Sequence, residues 1–204
     1  FSVSLIETIA IALLGTLSAA VLALPLAFLA ARNVTAQRVV RFLSRRSLDT
    51  IRSVDILVWA LIWINVVGLG PFAGALAIMS ADIGSFGKLF SEAMEAADRK
   101  PVEGITSTGG SHVFGIRFGI LPEVFPVLIS QILYYFESNT RSASIIGIVG
   151  AGGIGLHLAE AIRTLELQQT SFIVLMILVA VAAIDFLSNR LRFALIGRRG
   201  GATA

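Results

Sequence analysis

The chain contains no cysteine and little charge. None of its 204 residues is cysteine, and only 14% are Asp, Glu, Lys or Arg. Without cysteine, the protein has no disulfides, no thiolate catalysis and no Cys-ligated metal. Hydrophobic residues make up 56% of the chain, and the mean hydropathy is +0.87. A soluble domain of this length could not bury so much apolar surface, so the composition predicts an integral membrane protein.

The sequence also lacks the motifs of nucleotide-binding and catalytic proteins. It contains no G-x-x-x-x-G-K-S/T loop, so we do not expect it to bind ATP phosphates itself. The formal G-x-G-x-x-G over residues 150–155 lies in no βαβ pattern. Its glycines are expected either to let helices approach closely or to break a helix beside a pathway. His112 and His157 are isolated, and no nucleophile and base occur together, so we predict neither a metal site nor an enzyme.

The positive charges indicate orientation in a membrane rather than nucleic-acid binding. Residues 8–31 carry no charge, and as a helix they reach about 36 Å, enough to cross a bilayer of about 30 Å. By the positive-inside rule, the arginine-rich segment that follows is cytoplasmic. Its arginines are Arg32, Arg38, Arg41, Arg45, Arg46 and Arg52, against the single acid Asp49.

Glycine and proline at residues 68–71 divide the next apolar run. One long helix and two helices both fit the run, and we favour two helices over 45–67 and 71–97. Lys88 and Glu92, one turn apart on the second helix, are expected to pair.

The second half of the chain predicts two more spans. They cover about 119–139 and 170–195, and a glycine-broken short helix or re-entrant element lies between them over 142–165. The C-terminus is predicted to be cytoplasmic because of Arg190, Arg192, Arg198 and Arg199. The resulting prediction is one all-α membrane domain over residues 1–204 with about five transmembrane helices. The abrupt start at Phe1 is compatible with one more helix upstream.

A polar segment over about residues 98–118 separates two of these apolar spans. Counted from Glu103, it places Gly109 six residues on, and Leu121-Pro122 open the next helix. This spacing resembles the cytoplasmic coupling loop of ABC-importer permeases, whose pattern is EAA, three residues, Gly, nine residues, Ile, one residue, Leu-Pro. The literal EAA at residues 95–97 does not fit, because the spacing then puts proline where glycine is required.

The resemblance implies a coupling helix that docks on an ATPase. The departures from the pattern are Gly104 and Ile105 for the two alanines and Gly119 for the isoleucine. Each glycine weakens a helix by about 1 kcal/mol relative to alanine, so we expect the coupling helix to depend on its partner for order. The expected coupling residues are Glu103, Gly104, Thr106, Gly109, Gly110, Ser111, Leu121 and Pro122.

Three further runs are similar to the permeases of bacterial phosphonate ABC importers. They are RSVDILVWALIWINVVGLGPFAGALA, FGKLFSEAMEA and NTRSASIIGIVGAGGIG. The resemblance implies a type I ABC importer fold and an inner-membrane permease that moves phosphonate or a related phosphorus oxyanion by alternating access. It also implies a second copy of the chain, two ATPase subunits that bind ATP and Mg²⁺, and an extracytoplasmic binding protein. The VGAGGIG run is shared with methionine importer permeases, so that alternative stays open, as does a non-transporting anchor for an ATPase.

Charged and polar residues near the end of the 119–139 span suggest a substrate pathway. Glu137 and Arg141 are one turn apart, and pairing between them would anchor the helix. The alternative is that Arg141 faces the pathway and meets an anionic ligand. The pathway candidates are Asn139, Arg141, Ser142, Ser144, Gly152 and Gly153. For Asp55 and Asp82, helix capping or a hydrogen bond between helices is favoured over substrate contact.

Overall fold

The computed structural model describes residues 2–35 and 37–196, apart from the side chains of residues 195 and 196. Arg198 and Arg199, on which the predicted C-terminal orientation depends, lie outside the described residues. The described chain is helical, with a π-helical segment at Gly115–Ile120 between α6 and α7. Its α-helices are α1 (Ser2–Ala30), α2 (Arg38–Arg52), α3 (Ile56–Val67), α4 (Pro71–Ala96), α5 (Lys100–Ser107), α6 (His112–Phe114), α7 (Leu121–Ile148), α8 (Ile154–Arg163) and α9 (Leu167–Ile196).

The centre of the fold is the packing of α1 on α4. One face of α1 is lined with alanines, which pack against Phe86, Phe90 and Met94 of α4. Small residues let the helix backbones come close. At Gly15, a Cβ atom would lie 2.7 Å from the Ile78 side chain. α7 completes this core with Ile120, Val124 and Leu128 at and after its start.

Three helical stretches of the described chain are long and apolar enough to cross a membrane. They are Ser2–Ala30, His112–Ile148 and Leu167–Ala194, and the bent pair α2 and α3 is a fourth candidate. α4 is 26 residues long, about 39 Å, but carries the charges of Asp82, Lys88, Glu92 and Glu95. The predicted five-span path needs α4 as a span, and the order of crossings stays a prediction.

Two predicted helix boundaries are wrong. The helix expected over 45–67 is broken after Arg52, and α3 restarts at Ile56 at an angle of 86° to α2. Asp55 causes the restart, because its Oδ1 accepts a hydrogen bond of 2.9 Å from the Leu57 amide and so caps α3. The span expected over 119–139 continues to Ile148, so the first part of the glycine-rich segment is helical. The predicted break at 68–71 and the short helix after the glycines are confirmed.

Two predicted ion pairs are replaced by pairs between helices. Lys88 does not pair with Glu92 but contacts Asp49 of α2, with Nζ 2.9 Å from Oδ1. Glu137 does not pair with Arg141 but contacts Arg192 of α9, at 3.3 Å. Both residues of each predicted pair lie on one helix, whereas the observed partners come from a neighbouring helix that sequence spacing does not reveal.

Candidate functional site

At the position of the predicted coupling helix lies α5, an exposed helix of eight residues. Pro101 lies in its first turn, where the missing amide costs nothing, and Glu103 is placed favourably for the helix dipole. The Lys100 amide donates to Asp98 Oδ1 at 3.1 Å, which satisfies one of the free amides at the helix start. None of the α5 residues is buried, so most of the helix surface is accessible.

Gly109 ends α5 in a Schellman turn. Its φ is +83°, a conformation that glycine adopts without steric cost. The Gly109 amide donates to the Thr106 carbonyl at 3.0 Å, and the Gly110 amide donates to the Ile105 carbonyl at 3.1 Å. The glycine that identified the motif is therefore required by the backbone of the turn, and its Cα faces open space.

Val102 anchors α5 to the π-helical segment. A Cβ atom at Gly119 would lie 2.9 Å from Val102 Cγ2 and 3.2 Å from the Val102 amide nitrogen. A Cβ atom at Gly115 would lie 3.1 Å from Val102 Cγ1. The glycine at 119, where the pattern has isoleucine, thus leaves room for the backbone of α5. Gly104 has no such neighbour and lies on the exposed face.

The other predicted coupling residues surround α5 at the same end of the bundle. Thr106 and Ser111 are exposed, Pro122 is exposed at the start of α7, and Leu121 is half-buried. Close by, the rings of Phe114 and Phe118 stack with centroids 6.1 Å apart, although both side chains are more than half exposed. This end of the molecule therefore combines a short polar helix with exposed aromatic surface.

Two glutamates fix the joint between α4 and α5, which consists of the last turn of α4 and residues 97–99. Glu95 Oε1 accepts from the Arg32 amide at 2.7 Å and also from the Arg45 guanidinium, which ties the end of α4 to α1 and α2. Glu123 Oε1 of α7 accepts from the Asp98 amide at 3.0 Å. The joint is thus held by contacts with the end of α1, with α2 and with α7. Sequence reasoning missed both glutamates, although the rejected EAA at 95–97 includes one of them.

Asn33 adds two hydrogen bonds to the joint, and a cleft lies beside it. The Asn33 side chain donates to the Met94 carbonyl at 3.2 Å and to the Glu95 carbonyl at 3.4 Å. A cleft of about 290 Å³ separates the end of α1 from α5, with His112 and Glu103 in its wall. On this side α5 is therefore not packed against the end of α1.

The ion pair of Lys88 and Asp49 joins the same two helices as the Arg45–Glu95 pair, about two turns of α4 before Glu95. The hydrogen bond from the Lys88 ammonium lowers the pKa of the Asp49 carboxyl below its usual range. Both side chains are about one-third exposed, so the pair is screened by solvent. It links α2 to α4, as the Arg45–Glu95 pair does, but it leaves the α4–α5 joint untouched.

The predicted pathway residues do not form one surface in the protomer. The Asn139 side chain is 4% exposed; it donates to Thr16 Oγ1 at 2.8 Å and to the Asp82 carboxylate. It therefore joins α7 to α1 and α4, and the hydrogen bond expected for Asp82 is present. Ser144 is buried and donates to the Thr140 carbonyl.

Arg141 and Ser142 lie on a more open part of the helix than Asn139 and Ser144. Arg141 is exposed and Ser142 is half-buried. Arg141 is the one charged residue among the six candidates, and because it is exposed, a second molecule can approach it. Its role in a pathway stays a prediction.

Gly152 and Gly153 are packing residues in the turn before α8. A Cβ atom at Gly152 would lie 2.7 Å from the Pro71 nitrogen, and one at Gly153 would collide with Thr8. The Ile154 amide donates to Thr8 Oγ1 at 2.8 Å, so a side chain of α1 caps α8. These contacts favour the close-approach interpretation of the glycine run.

The sequence profile of a transport family covers most of the chain. The family is described as "Binding-protein-dependent transport system inner membrane component", and it matches residues 23–200. Among curated proteins, the chain is 40% identical over 190 residues to the putative phosphite transport system permease protein HtxC of Stutzerimonas stutzeri, covering 93% of this chain and 67% of that protein.

Two further relatives differ in how much of them the chain covers. Identity to the phosphate-import permease protein PhnE of Mycolicibacterium smegmatis is 37% over 93% of this chain, but the chain spans only 36% of that protein. Identity to the putative cryptic phosphonate transport system permease protein PhnE2 of Escherichia coli is 52% over 57% of this chain and 96% of that protein.

Among solved structures, an inward-facing MetNI methionine ABC transporter chain superposes with a TM-score of 0.78 at 18% identity, covering 94% of each chain. A chain of an amino acid ABC transporter crystallised with histidines gives a TM-score of 0.75 at 15% identity, covering 92% of this chain and 90% of that one. These likenesses show that the fold is that of type I ABC importer permeases.

Proposed function

Because the chain belongs to the family of binding-protein-dependent transport system inner membrane components, we propose that it is the permease subunit of an ATP-driven importer for phosphorus oxyanions. Phosphite, phosphate and phosphonate appear in the names of relatives that are 37–52% identical. The observation that carries the coupling role is α5, an exposed helix closed by Gly109 and held at its base by Glu95 and Glu123.

The partners follow from this assignment. Two ATPase subunits would bind ATP and Mg²⁺, and each would receive one α5 helix from one of two permease copies. A binding protein on the outer side would deliver the anion. Closure of the ATPases on ATP would draw the two α5 helices together and rock the bundles between inward-open and outward-open states. The arginines after α1 support a cytoplasmic position for α5, with the C-terminus on the same side.

Methionine is the less favoured substrate. The methionine transporter shares the fold at 18% identity, and fold alone does not specify a substrate. The affinities of the associated binding protein for phosphite, methylphosphonate and methionine decide between these ligands. A binding protein that takes only methionine would overturn the oxyanion assignment.

The coupling role is tested by two glycines with positive φ. Gly109 and Gly68 have φ of +83° and +92°, and at both positions an added methyl group would have no neighbouring atom within 4 Å. Alanine at the left-handed position of Gly109 costs about 1 kcal/mol, which is about a fivefold change in an equilibrium. Gly68 has a ψ of 175°, a backbone conformation almost restricted to glycine, so alanine is strained there at least as much. Gly109→Ala should weaken ATPase binding about fivefold, because the turn that closes α5 is strained.

Gly68→Ala is the control, since it strains the turn between α3 and α4 at least as much, at a place that does not touch α5. It should keep the affinity for the ATPase. Both affinities are measured by titrating the purified permease with its ATPase. Equal loss in the two variants, or no loss in Gly109→Ala, contradicts the coupling role.

The rate of ATP hydrolysis in proteoliposomes distinguishes a transporting permease from a non-transporting anchor for the ATPase. An importer permease should raise ATPase activity when the loaded binding protein is added on the opposite side. Deletion of residues 104–111 should abolish this stimulation and oxyanion uptake, whereas the helices still insert. Stimulation that is independent of binding protein and anion would support the anchor alternative.

A further inference from the structure

The helix α2 has an exposed surface that lies outside its contacts with α4. Its exposed surface carries Val39 at 70%, Phe42 at 59% and Leu43 at 58% exposure. Large apolar side chains clustered on a short helix indicate a surface that is covered in the working protein. The opposite side of α2 is occupied, because Leu48 is 2% exposed and packs against Gly87 of α4.

A groove lined by arginines runs beside these apolar side chains. Its walls are Arg32, Arg38, Arg41 and Arg45, and Phe42 completes the lining; its volume is about 440 Å³. Arg45 is neutralised by Glu95. Within the described part of the chain, none of the ion pairs involves Arg32, Arg38 or Arg41. The groove therefore carries excess positive charge and fits an anionic group.

The direction of α2 suits a position along the membrane surface. α2 follows α1, a membrane span, and makes an angle of 86° with α3, whose sequence ILVWALIWINVV is apolar. If α3 enters the bilayer near its normal, α2 lies close to the membrane plane over about 22 Å. The Arg46 guanidinium lies 5.4 Å from the centre of the Phe42 ring, as expected for a side chain that reaches from apolar surface toward headgroups.

We propose that the groove formed by Arg32, Arg38 and Arg41 binds the phosphate headgroup of an anionic phospholipid. The acyl chains of that lipid cover Val39 and Leu43, which lie next to the groove on the same helix. Basic amphipathic helices on the cytoplasmic leaflet bind anionic lipid through this combination of charge and apolar area. A free phosphate ion uses the charge but leaves the apolar side chains in water, which is why a lipid is favoured. This site needs only the membrane location, so its failure leaves the transport proposal intact.

The direct test is lipid binding to the full chain in detergent. Dioleoyl-phosphatidylglycerol is titrated against the purified protein, and native mass spectrometry counts bound lipid. Arg38→Gln/Arg41→Gln should bind this lipid roughly 30-fold more weakly, which corresponds to about 2 kcal/mol for two arginines. Arg163→Gln is the matched control, since it removes an exposed arginine at the end of α8, and it should bind as the native chain does.

A second set of variants separates the lipid from other anions. Leu43→Gln should weaken phosphatidylglycerol binding while all arginines are kept, and dioleoyl-phosphatidylcholine should bind weakly to every variant. Arg38→Gln alone alters an exposed side chain, so it should fold, as judged by its melting temperature, and bind several-fold more weakly. Arg41 is half-buried and donates to the Thr35 carbonyl at 3.5 Å, so the single variant protects the test against misfolding of the double one.

Three results overturn the proposal. Equal phosphatidylglycerol affinity in the native chain and in Arg38→Gln shows that the groove is not the site. If inorganic phosphate binds as tightly as the lipid and Leu43→Gln has no effect on lipid binding, the groove is a site for soluble anions. Loss of ATPase affinity in the arginine variants, with lipid binding unchanged, indicates that the surface faces the ATPase.

Discussion

Replacing Glu95 with glutamine should uncouple ATP hydrolysis from transport. Glu95 Oε1 holds the Arg32 amide at 2.7 Å and pairs with Arg45, so one carboxylate ties the end of α4 to both α1 and α2. Glutamine keeps the shape and can still accept from the amide, but it removes the charge that holds Arg45. The joint then opens more often, and α5 moves without taking α1 and α2 with it.

The size of the effect follows from the exposure of the pair. The side chains of Arg45 and Glu95 are 33% and 20% exposed, so the pair is weaker than a fully buried one. Exposed ion pairs contribute about 0–1 kcal/mol, and hydrogen bonds to charged groups about 1.5–3 kcal/mol. An intermediate value of about 1.4 kcal/mol raises the population of the open joint about tenfold.

The assay compares ATP hydrolysed with oxyanion taken up in proteoliposomes that contain permease, ATPase and binding protein. Glu95→Gln should hydrolyse several-fold more ATP for each anion imported, and its ATPase affinity should be unchanged. Asp49→Asn is the control, since it also removes an ion pair between α2 and α4, with side chains about one-third exposed. If the two variants show the same ratio of ATP to anion as the native chain, the joint does not transmit force.

Two further outcomes test the packing around the site. Gly119→Val should displace α5 and reduce ATPase affinity at least tenfold, because the new Cβ would lie 2.9 Å from Val102 Cγ2. Gly104→Ala is the control, because its new methyl group points into open space. It should stabilise α5 by about 1 kcal/mol and bind the ATPase at least as well as the native chain does. Asn139→Leu should lower the melting temperature in detergent, since a buried acceptor without its donor costs about 1–3 kcal/mol. Asp82→Leu combined with Asn139→Leu should recover most of this loss, and a double variant as unstable as the single one would contradict the assigned contact.

The fold was predictable where the chain carries local signals. Glycines and a proline at 68–71 gave the break before α4, and the spacing from Glu103 gave α5 with its closing glycine. The break after Arg52 contains neither glycine nor proline, and the capping side chain of Asp55 was its one local signal. The continuation of α7 to Ile148 was missed because the glycine-rich run after residue 142 indicated a broken element, whereas Gly147 is the one glycine of that run inside α7 and the others follow it. Thr140 and Ser144 also bond to carbonyls four residues earlier within the helix.

The site was predictable only in part, because its joint depends on contacts between distant residues. Glu95 and Arg45 are 50 positions apart, and Asp98 and Glu123 are 25 apart. One sequence cannot reveal such pairs. Asn139 was predicted as a pathway candidate; its hydrogen-bond partners lie on α1 and α4 of the same chain, and its role in a pathway stays a prediction. A polar residue at membrane depth can hold helices together as readily as it can meet a substrate.

The attachments of α5 are unequal at its two ends, and this determines how it moves. Its base is fixed through Glu95 and Glu123 to three long helices, whereas its far end is closed by a turn whose hydrogen bonds stay within residues 105–110. We therefore expect a push on the exposed face to rotate α5 about its base. Val102 carries that rotation into the segment Gly115–Ile120, whose π-helical hydrogen bonds are a geometry common at functional sites. Since this segment leads directly into α7, we expect it to deform first when the ATPases close.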